Sequence, residues 1–462
     1  MKKKIWKKGL IIGVMILFFG LAFVPTIGTL NTLMSADETV EIDKDYILSQ
    51  GYELPPPIPV DMILEESIFR RCSIREFSAD PVSDEHLSTI LWAAYGYRDD
   101  GKRTVPLIDN VHGVNIYVLI KNESFKLDVY RYDPTNHSLQ FLKKISSFNF
   151  GQYSAPVYIG LAWDTNKSEN EYYVGAEIGE IGQNIAFMAN ALDLGTVVNA
   201  DLLPWSYLAR IGLPPNEIPL ILMPLGHPFY PYDFRYRPLD LSLLPRIKYS
   251  DMSLTNAINQ RNESQSWEGH LTNHEQYQMI WSSYGYSYLL DRTESDFRYH
   301  INRHRTVPSA HGYYPLSIYA FTESAVYQYH PNILLYLTPY PFIDFLGLPI
   351  ISIMQKVMKG DYREDLAQAC SLPSLAAAPL IIIPVVDLER TRPEGGDDFS
   401  GEEYRWMWYY EAGASAYNVL LEATAWGLSS NLFPIENKIT ICSLLGLDED
   451  NFDPLFIVPV GK

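Results

Sequence analysis

Arg305-Thr306-Val307-Pro308-Ser309-Ala310-His311-Gly312-Tyr313-Tyr314-Pro315-Leu316-Ser317-Ile318-Tyr319 is the stretch that decides how this chain is read. Its prolines and small residues specify a turn, and the run that follows has the composition of a strand. Its first four residues recur as Arg103-Thr104-Val105-Pro106 and its last two as Ile116-Tyr117. Between those ends the earlier copy reads Leu107-Ile108-Asp109-Asn110-Val111-His112-Gly113-Val114-Asn115. Equal length with different chemistry in the middle means a repeat whose two halves have diverged at one loop.

Further echoes keep the same order on both sides. Trp92-Ala93-Ala94-Tyr95-Gly96 returns as Trp281-Ser282-Ser283-Tyr284-Gly285, and Tyr130-Arg131-Tyr132-Asp133-Pro134 as Tyr327-Gln328-Tyr329-His330-Pro331. Ala155-Pro156 returns as Ala378-Pro379. Glu177-Ile178-Gly179 with Asn184 returns as Glu411-Ala412-Gly413 with Asn418, at one constant offset. A period of roughly 200 residues is a duplicated domain, since solenoid periods run to about 50. The halves fall at 61–245 and 246–462. In the first, Ser83 caps a helix with Leu87, Ile90, Leu91 and Ala94 on one face, and Gly96 ends it. Apolar runs predict strands over 116–120, 157–162 and 220–225, and Ile178, Ile181, Ile185 and Met188 predict a long helix over 173–192. The last strand is expected over 455–458. Irregular alternation of helices and strands makes the class α+β. Residues 332–358 read as an apolar insertion in the second half only. Pro339, Pro341 and Pro349 break it and Asp344 sits within it, so it is a packed lid or core helix, or a segment lying on a membrane surface.

Five lysines among the first eight residues precede an uncharged run over 9–36. That pattern is a signal peptide or an uncleaved membrane anchor, with the remainder of the chain outside the cytoplasm. Residues 37–60 are expected to be a linker that ends in the stiff Pro55-Pro56-Pro57-Ile58-Pro59, with the globular part starting near Asp61. A net charge of −19 argues against a nucleic-acid binder. Cys72, Cys370 and Cys442 are too few and too scattered for a disulfide framework or a zinc site.

Neither a nucleophile elbow, a phosphate-binding Walker loop nor a paired metal-ligand motif occurs, which points to binding or to chemistry borrowed from a cofactor. Arg70-Arg71-Cys72-Ser73-Ile74-Arg75-Glu76-Phe77, just before a helix, is the one cluster suited to holding a phosphate by charge-assisted hydrogen bonds. Arg71-Cys72-Ser73-Ile74-Arg75-Glu76-Phe77, then Leu91-Trp92-Ala93-Ala94-Tyr95-Gly96, then Arg305-Thr306-Val307-Pro308-Ser309-Ala310 with Tyr314-Pro315-Leu316, together resemble the nitroreductase superfamily. Within it the resemblance is closest to SagB-type dehydrogenases, and it covers nearly everything from about residue 61. It implies an FMN protein in which hydride passes through the flavin. Such proteins are usually homodimers with two flavins at the interface. One subunit supplies an Arg-x-Ser-x-Arg/Lys motif, a later basic pair and backbone near the ring, and the partner supplies a Pro-Ser-Ala loop.

Carried onto this chain, the resemblance makes the halves complementary. The first holds the phosphate motif at Arg71, Ser73 and Arg75, and the later basic pair at Arg235 and Arg237. Gly195 to Asn199 matches the backbone near the ring, and Gln152 lies where a side chain can bond the ring's polar edge. The second half aligns Arg261, Glu263 and Gln265 with the motif, and a glutamate there repels a phosphate. It also ends at Lys462, before a late basic pair. Conversely, Pro308, Ser309 and Ala310, with Pro315, are intact only in the second half, where the first has Pro106-Leu107-Ile108. The expectation is an intramolecular pseudo-dimer with one composite FMN site, one dead site, a small-molecule substrate and an unidentified electron donor. The competing expectation is a flavin-binding or structural module at the outer membrane face that does not turn over.

Overall fold

A computed structural model of the chain describes residues 51–106, 108, 112–122, 126–146, 153–200, 211–230, 232–236, 240–292, 302–333, 350–393 and 396–462. The first half runs β1 (Gly51–Glu53), α1 (Leu64–Arg70), α2 (Asp84–Tyr95), β2 (Val114–Lys121), β3 (Lys126–Asp133), β4 (Ser138–Ser146), β5 (Val157–Asp164), α3 (Glu171–Ala191), β6 (Gly195–Thr196), β7 (Glu217–Gly226) and β8 (Tyr232–Tyr236). The second runs α4 (Leu254–Asn259), α5 (Asn273–Tyr284), β9 (Tyr286–Arg292), β10 (Asn302–Arg305), β11 (Leu316–Thr322), β12 (Ala325–His330), β13 (Ile353–Lys359), α6 (Arg363–Ala369), β14 (Leu380–Asp387), α7 (Arg405–Ala425), β15 (Ser429–Ser430), β16 (Phe433–Pro434), α8 (Lys438–Leu445), β17 (Phe452–Pro454) and β18 (Phe456–Gly461).

The duplication is visible as strand order. One sheet is ordered β1-β4-β3-β2-β5-β7-β6 and the other β13-β12-β11-β14-β18-β15. Leaving out β1, the two orders coincide position for position, and the named pairs are antiparallel. The central strands β2, β5, β11 and β14 are buried along nearly their whole length, which is why they read as continuous apolar runs rather than as alternation. Helices α2 and α5 match as well. Ser83 Oγ accepts from the His86 N–H, and Thr272 with Glu275 forms a capping box. Gly96 and Gly285 end the helices, and a Cβ at either would lie 2.7 or 2.2 Å from the Cδ1 of Trp92 or Trp281. The indole N–H of each tryptophan donates to the carbonyl just past its glycine, of Tyr97 and Tyr286.

The halves are joined by the two longest helices. α3 and α7 cross so closely that a Cβ on Gly179 would sit 2.1 Å from the Tyr410 carbonyl oxygen, and one on Gly413 2.3 Å from that of Ala176. Hydrogen bonds bind the crossing to both halves. Gln183 Nε2 donates to the Thr306 carbonyl (3.0 Å) and to Asn418 Oδ1 (2.8 Å), and Tyr417 Oη donates to the Thr104 carbonyl (3.0 Å). Residues 50–462 accordingly make one compact unit. A second join was not foreseen. β8 of the first half pairs with β9 of the second, and β9 with β10, in a separate three-stranded sheet.

Two expectations about boundaries change. The proline-rich stretch does not stand off from the body. Gly51–Glu53 pairs with β4, and the backbone N–H groups of Ile58 and Val60 donate to Thr89 and Thr255 hydroxyls, both at 2.9 Å. Extended proline-rich chain carries free donors at its non-proline positions, and these find partners on the surface. The unshared part of 332–358 is also shorter than its apolar composition suggested. Ile353–Lys359 pairs with β12 where the first sheet has β4, so it is a shared strand. Residues 334–349, and the leader and linker residues 1–50, lie outside the described residues. Among the described residues no helix is long and apolar enough to cross a membrane.

Candidate functional site

Helix α1 delivers the arginine–serine cluster to the base of the crossing helices. Arg71 follows its last residue and is buried, 3% exposed. Its Nε and Nη2 donate to the carbonyl of Arg305 in the other half, at 3.2 and 3.0 Å. Burial pulls the Arg71 pKa down, from a starting value so high that the group keeps its charge. Arg75 is exposed and makes a long bond from Nη1 to the Ser73 carbonyl, 3.4 Å. Among the described residues no carboxylate pairs with Arg71 or Arg75. Ile74 points into the protein, and its N–H donates to the Thr196 carbonyl at 2.9 Å. A Cβ on Gly195 would fall 2.5 Å from Ile74 Cγ2, so only glycine lets the cluster dock on β6. Asn199 is held beyond it by exchanging backbone bonds with Leu222. Arg71, Ser73 and Arg75 are thus held beside Gly195 through Ile74, and Asn199 follows on the same segment of chain. Among the described residues the buried Thr196 Oγ1 and Tyr410 Oη have no hydrogen-bond partner.

The loop after β10 comes to the same place from the second half. Pro308 and Pro315 are buried, while Ser309 and Ala310 are half-buried. Ser309 Oγ accepts from the Tyr314 N–H at 2.8 Å. His311, Gly312 and Tyr314 all have positive φ (54°, 71° and 49°), a conformation that costs energy at the two non-glycine positions. The Arg305 guanidinium, below the loop, lies over the rings of Tyr284, Tyr286 and Tyr314 at 4.8, 5.2 and 4.2 Å. Arg235 is carried on β8, two strands from β10 in the sheet that spans both halves. Gln152 and Arg237 fall outside the described residues.

The mirrored position is built alike and chemically different. Arg261, also buried, donates to the Thr104 and Arg103 carbonyls of the first half, as Arg71 does to Arg305. Here Glu263 takes the charge, with Oε1 at 3.0 Å from Arg261 Nε and 2.6 Å from Nη2. Burial alone would raise the Glu263 carboxyl, but the guanidinium outweighs it and holds the group below its ordinary range. Arg98 Nη1 donates to the Arg261 carbonyl at 2.7 Å. The first half spans Tyr97 to Arg103 by a tight turn where the second has β9 and β10.

Sequence reasoning noted the repeated glutamates without giving them a role. Glu177 accepts from Tyr95 Oη (2.8 Å) and the Gly113 N–H (2.8 Å), and lies 2.7 Å from His112 Nδ1. Glu411, on α7, accepts from Tyr284 Oη through Oε1, while its Oε2 has no hydrogen-bond partner among the described residues.

A Nitroreductase family model matches residues 68–227 and 287–462, one stretch in each half. The chain belongs to the nitroreductase family, with the domain present twice. The nitroreductase homologue MJ1384 of Methanocaldococcus jannaschii is 30% identical over 191 residues, which cover 38% of this chain and 96% of that protein. A nitroreductase homologue from Anabaena variabilis has the same fold through both halves, with a TM-score of 0.58 over 91% of this chain and 97% of its own at 14% identity. A nitroreductase homologue from Desulfovibrio desulfuricans, solved in complex with FMN, aligns over 40% of this chain and 98% of its own with a TM-score of 0.28 and 21% identity.

Proposed function

We propose that the chain is an FMN-dependent oxidoreductase with a single composite flavin site between its halves. Arg71, Ser73 and Arg75 would hold the phosphate, Arg235 and Arg237 would add charge, and Gln152 with the backbone of 195–199 would face the ring. Pro308, Ser309, Ala310 and Pro315 would form the wall given by the second half. The observation that carries this reading is the contrast between the two buried arginines. Arg71 has no carboxylate partner among the described residues, and Arg261 has Glu263. Two guanidinium groups without a counter-ion suit a phosphate, and a glutamate at the mirrored place repels one. The unpartnered Thr196 Oγ1 and Tyr410 Oη fit a ligand with polar edges. When bound, FMN supplies hydride and electron transfer, which side chains do not perform alone. The chain's own part is to fix the ring between two walls and to keep water from one face. FMN binding measured by fluorescence quenching tests the assignment. Arg71→Ala with Arg75→Ala is expected to weaken binding beyond detection, and Arg261→Ala to leave it near wild type. Equal effects at both positions would refute it.

The lysine-led apolar leader favours a second reading, a flavin-binding or structural module held at the outer face of a membrane. Nicotinamide cofactors are scarce outside the cytoplasm, so the usual reductant would be missing there. Anaerobic stopped-flow reduction of the bound flavin by candidate donors separates the two. A flavin that no donor reduces supports the module, and rapid reduction supports the enzyme.

A further inference from the structure

The duplication supplies an internal control for one buried carboxylate. Glu177 and Glu411 stand at equivalent places on α3 and α7, at the ends of the loops that lead into β2 and β11. Glu177 has three partners: the Tyr95 hydroxyl, the His112 ring and the Gly113 N–H. At Glu411 the tyrosine is kept as Tyr284. His112 is replaced by Tyr314, and Gly113 by Pro315, which has no N–H to give. Among the described residues Oε2 of Glu411 makes no hydrogen bond of good geometry in a fully buried setting, and the Ser309 hydroxyl is the neighbouring group able to supply one. A buried carboxylate with too few donors takes up a proton instead. The groups facing it are Tyr284 from α5, Arg305 from β10, Ser309 from the loop and Tyr410 beside it on α7. Burial pushes its pKa up to about 7, against the pull of the Ser309 and Tyr284 hydroxyls and the Arg305 charge.

We propose that Glu411 is a positioning residue that holds a proton under the Ser309 loop and so sets which way the Ser309 hydroxyl donates. Ser309 has one O–H proton. When Glu411 is ionised, that proton is drawn inward to the carboxylate. When Glu411 is protonated, its own O–H donates to Ser309 Oγ, and the Ser309 proton is free to meet a ligand between the halves. No bond other than O–H is made or broken, and the proton exchanges with solvent. The exchange of Gly113 for Pro315 thus removes a donor from the glutamate on the open side only. The functional consequence rests on the flavin-site reading above, but the titration of Glu411 does not.

Two measurements on the full chain test it. The first is infrared difference spectroscopy between pH 6 and 8 without flavin. A protonated-carboxyl band is expected to be lost in this interval in wild type and in Glu177→Gln, and to be missing from Glu411→Gln. Glu65, Glu180 and Glu422 are also buried and pushed up, so the assignment depends on that variant. The second is FMN affinity against pH. Wild type is expected to weaken several-fold between pH 6 and 8, within the tenfold per unit that one proton allows. Glu411→Gln and Ser309→Ala are expected to be flat. A band that persists in Glu411→Gln, or a pH-dependent affinity that survives in both variants, would overturn the proposal. If the band titrates as expected and FMN binds at no pH, it is the flavin-site reading that fails and the donor switch with it.

Discussion

Arg71 and Arg261 do the same structural work and differ in what they have left to offer. Each spends part of its fork on backbone carbonyls of the opposite half. Two residues on stands Ser73 in one case and Glu263 in the other, and of the two buried arginines only Arg261 has a carboxylate partner among the described residues. Charge-assisted hydrogen bonds are worth roughly 1.5–3 kcal/mol each, so Arg75→Ala alone is expected to weaken FMN binding about 10- to 100-fold. Glu263→Gln should cost stability instead, about 1–3 kcal/mol by urea denaturation at neutral pH, because Arg261 stays buried with half its partner gone. The folded-state pKa of Glu263 is depressed, so its contribution is present above the unfolded value and fades as pH falls through the folded one. The variant's acid limb is therefore expected to be shallower. Glu411 has the opposite sign. Its pKa is raised from 4.5 to about 7, so the native state binds the extra proton in that window and stability falls as pH rises through it. The shift corresponds to about 3 kcal/mol against folding at alkaline pH. Glu411→Gln, compared with wild type by denaturant midpoint at pH 5 and pH 8, is expected to gain at pH 8. A gap that does not change with pH would count against a titrating Glu411.

At the scale of elements, the crossing of α3 and α7 is what turns two domains into one body. The crossing works only because Gly179 and Gly413 let each helix rest on the other's carbonyls. Gly413→Ala inserts a methyl group 2.3 Å from the Ala176 oxygen, and overpacking of this kind costs about 1–3 kcal/mol. A loss of that size in the denaturant midpoint is expected, and an unchanged midpoint would mean the helices separate more easily than the packing implies. Much at this scale was legible in the sequence. The echo of Trp-x-x-Tyr-Gly marked the ends of α2 and α5, and the constant offset between Glu177 and Glu411 marked the paired helices. What was not legible is non-local. β8 completes a sheet with strands that lie some fifty residues later in the other half, and nothing in its composition says so. The proline-rich stretch looked like a spacer because local composition cannot show that Thr89 and Thr255 wait to accept its N–H groups. The missing donor at Pro315 becomes meaningful only once the fold shows its counterpart Gly113 donating to Glu177.

The whole molecule carries two nitroreductase domains within one chain. On the reading proposed above, duplication let the halves specialise, each keeping part of a single shared site. The first kept the arginines and Gly195, and the second kept the serine loop with the β9–β10 hairpin that leads into it. The complementarity proposed for the site comes from the motifs, since it needs only residue types in order. The Arg261–Glu263 pair at the mirrored position became visible only in the structure. The central claim is one flavin per chain, and the most direct measurement is the FMN-to-protein ratio of the flavin-saturated full chain. Flavin absorbance set against amino-acid analysis gives it. The account predicts a ratio of one, abolished by Arg71→Ala with Arg75→Ala and unchanged by Arg261→Ala. A ratio of two, or one that follows Arg261 rather than Arg71, would contradict it.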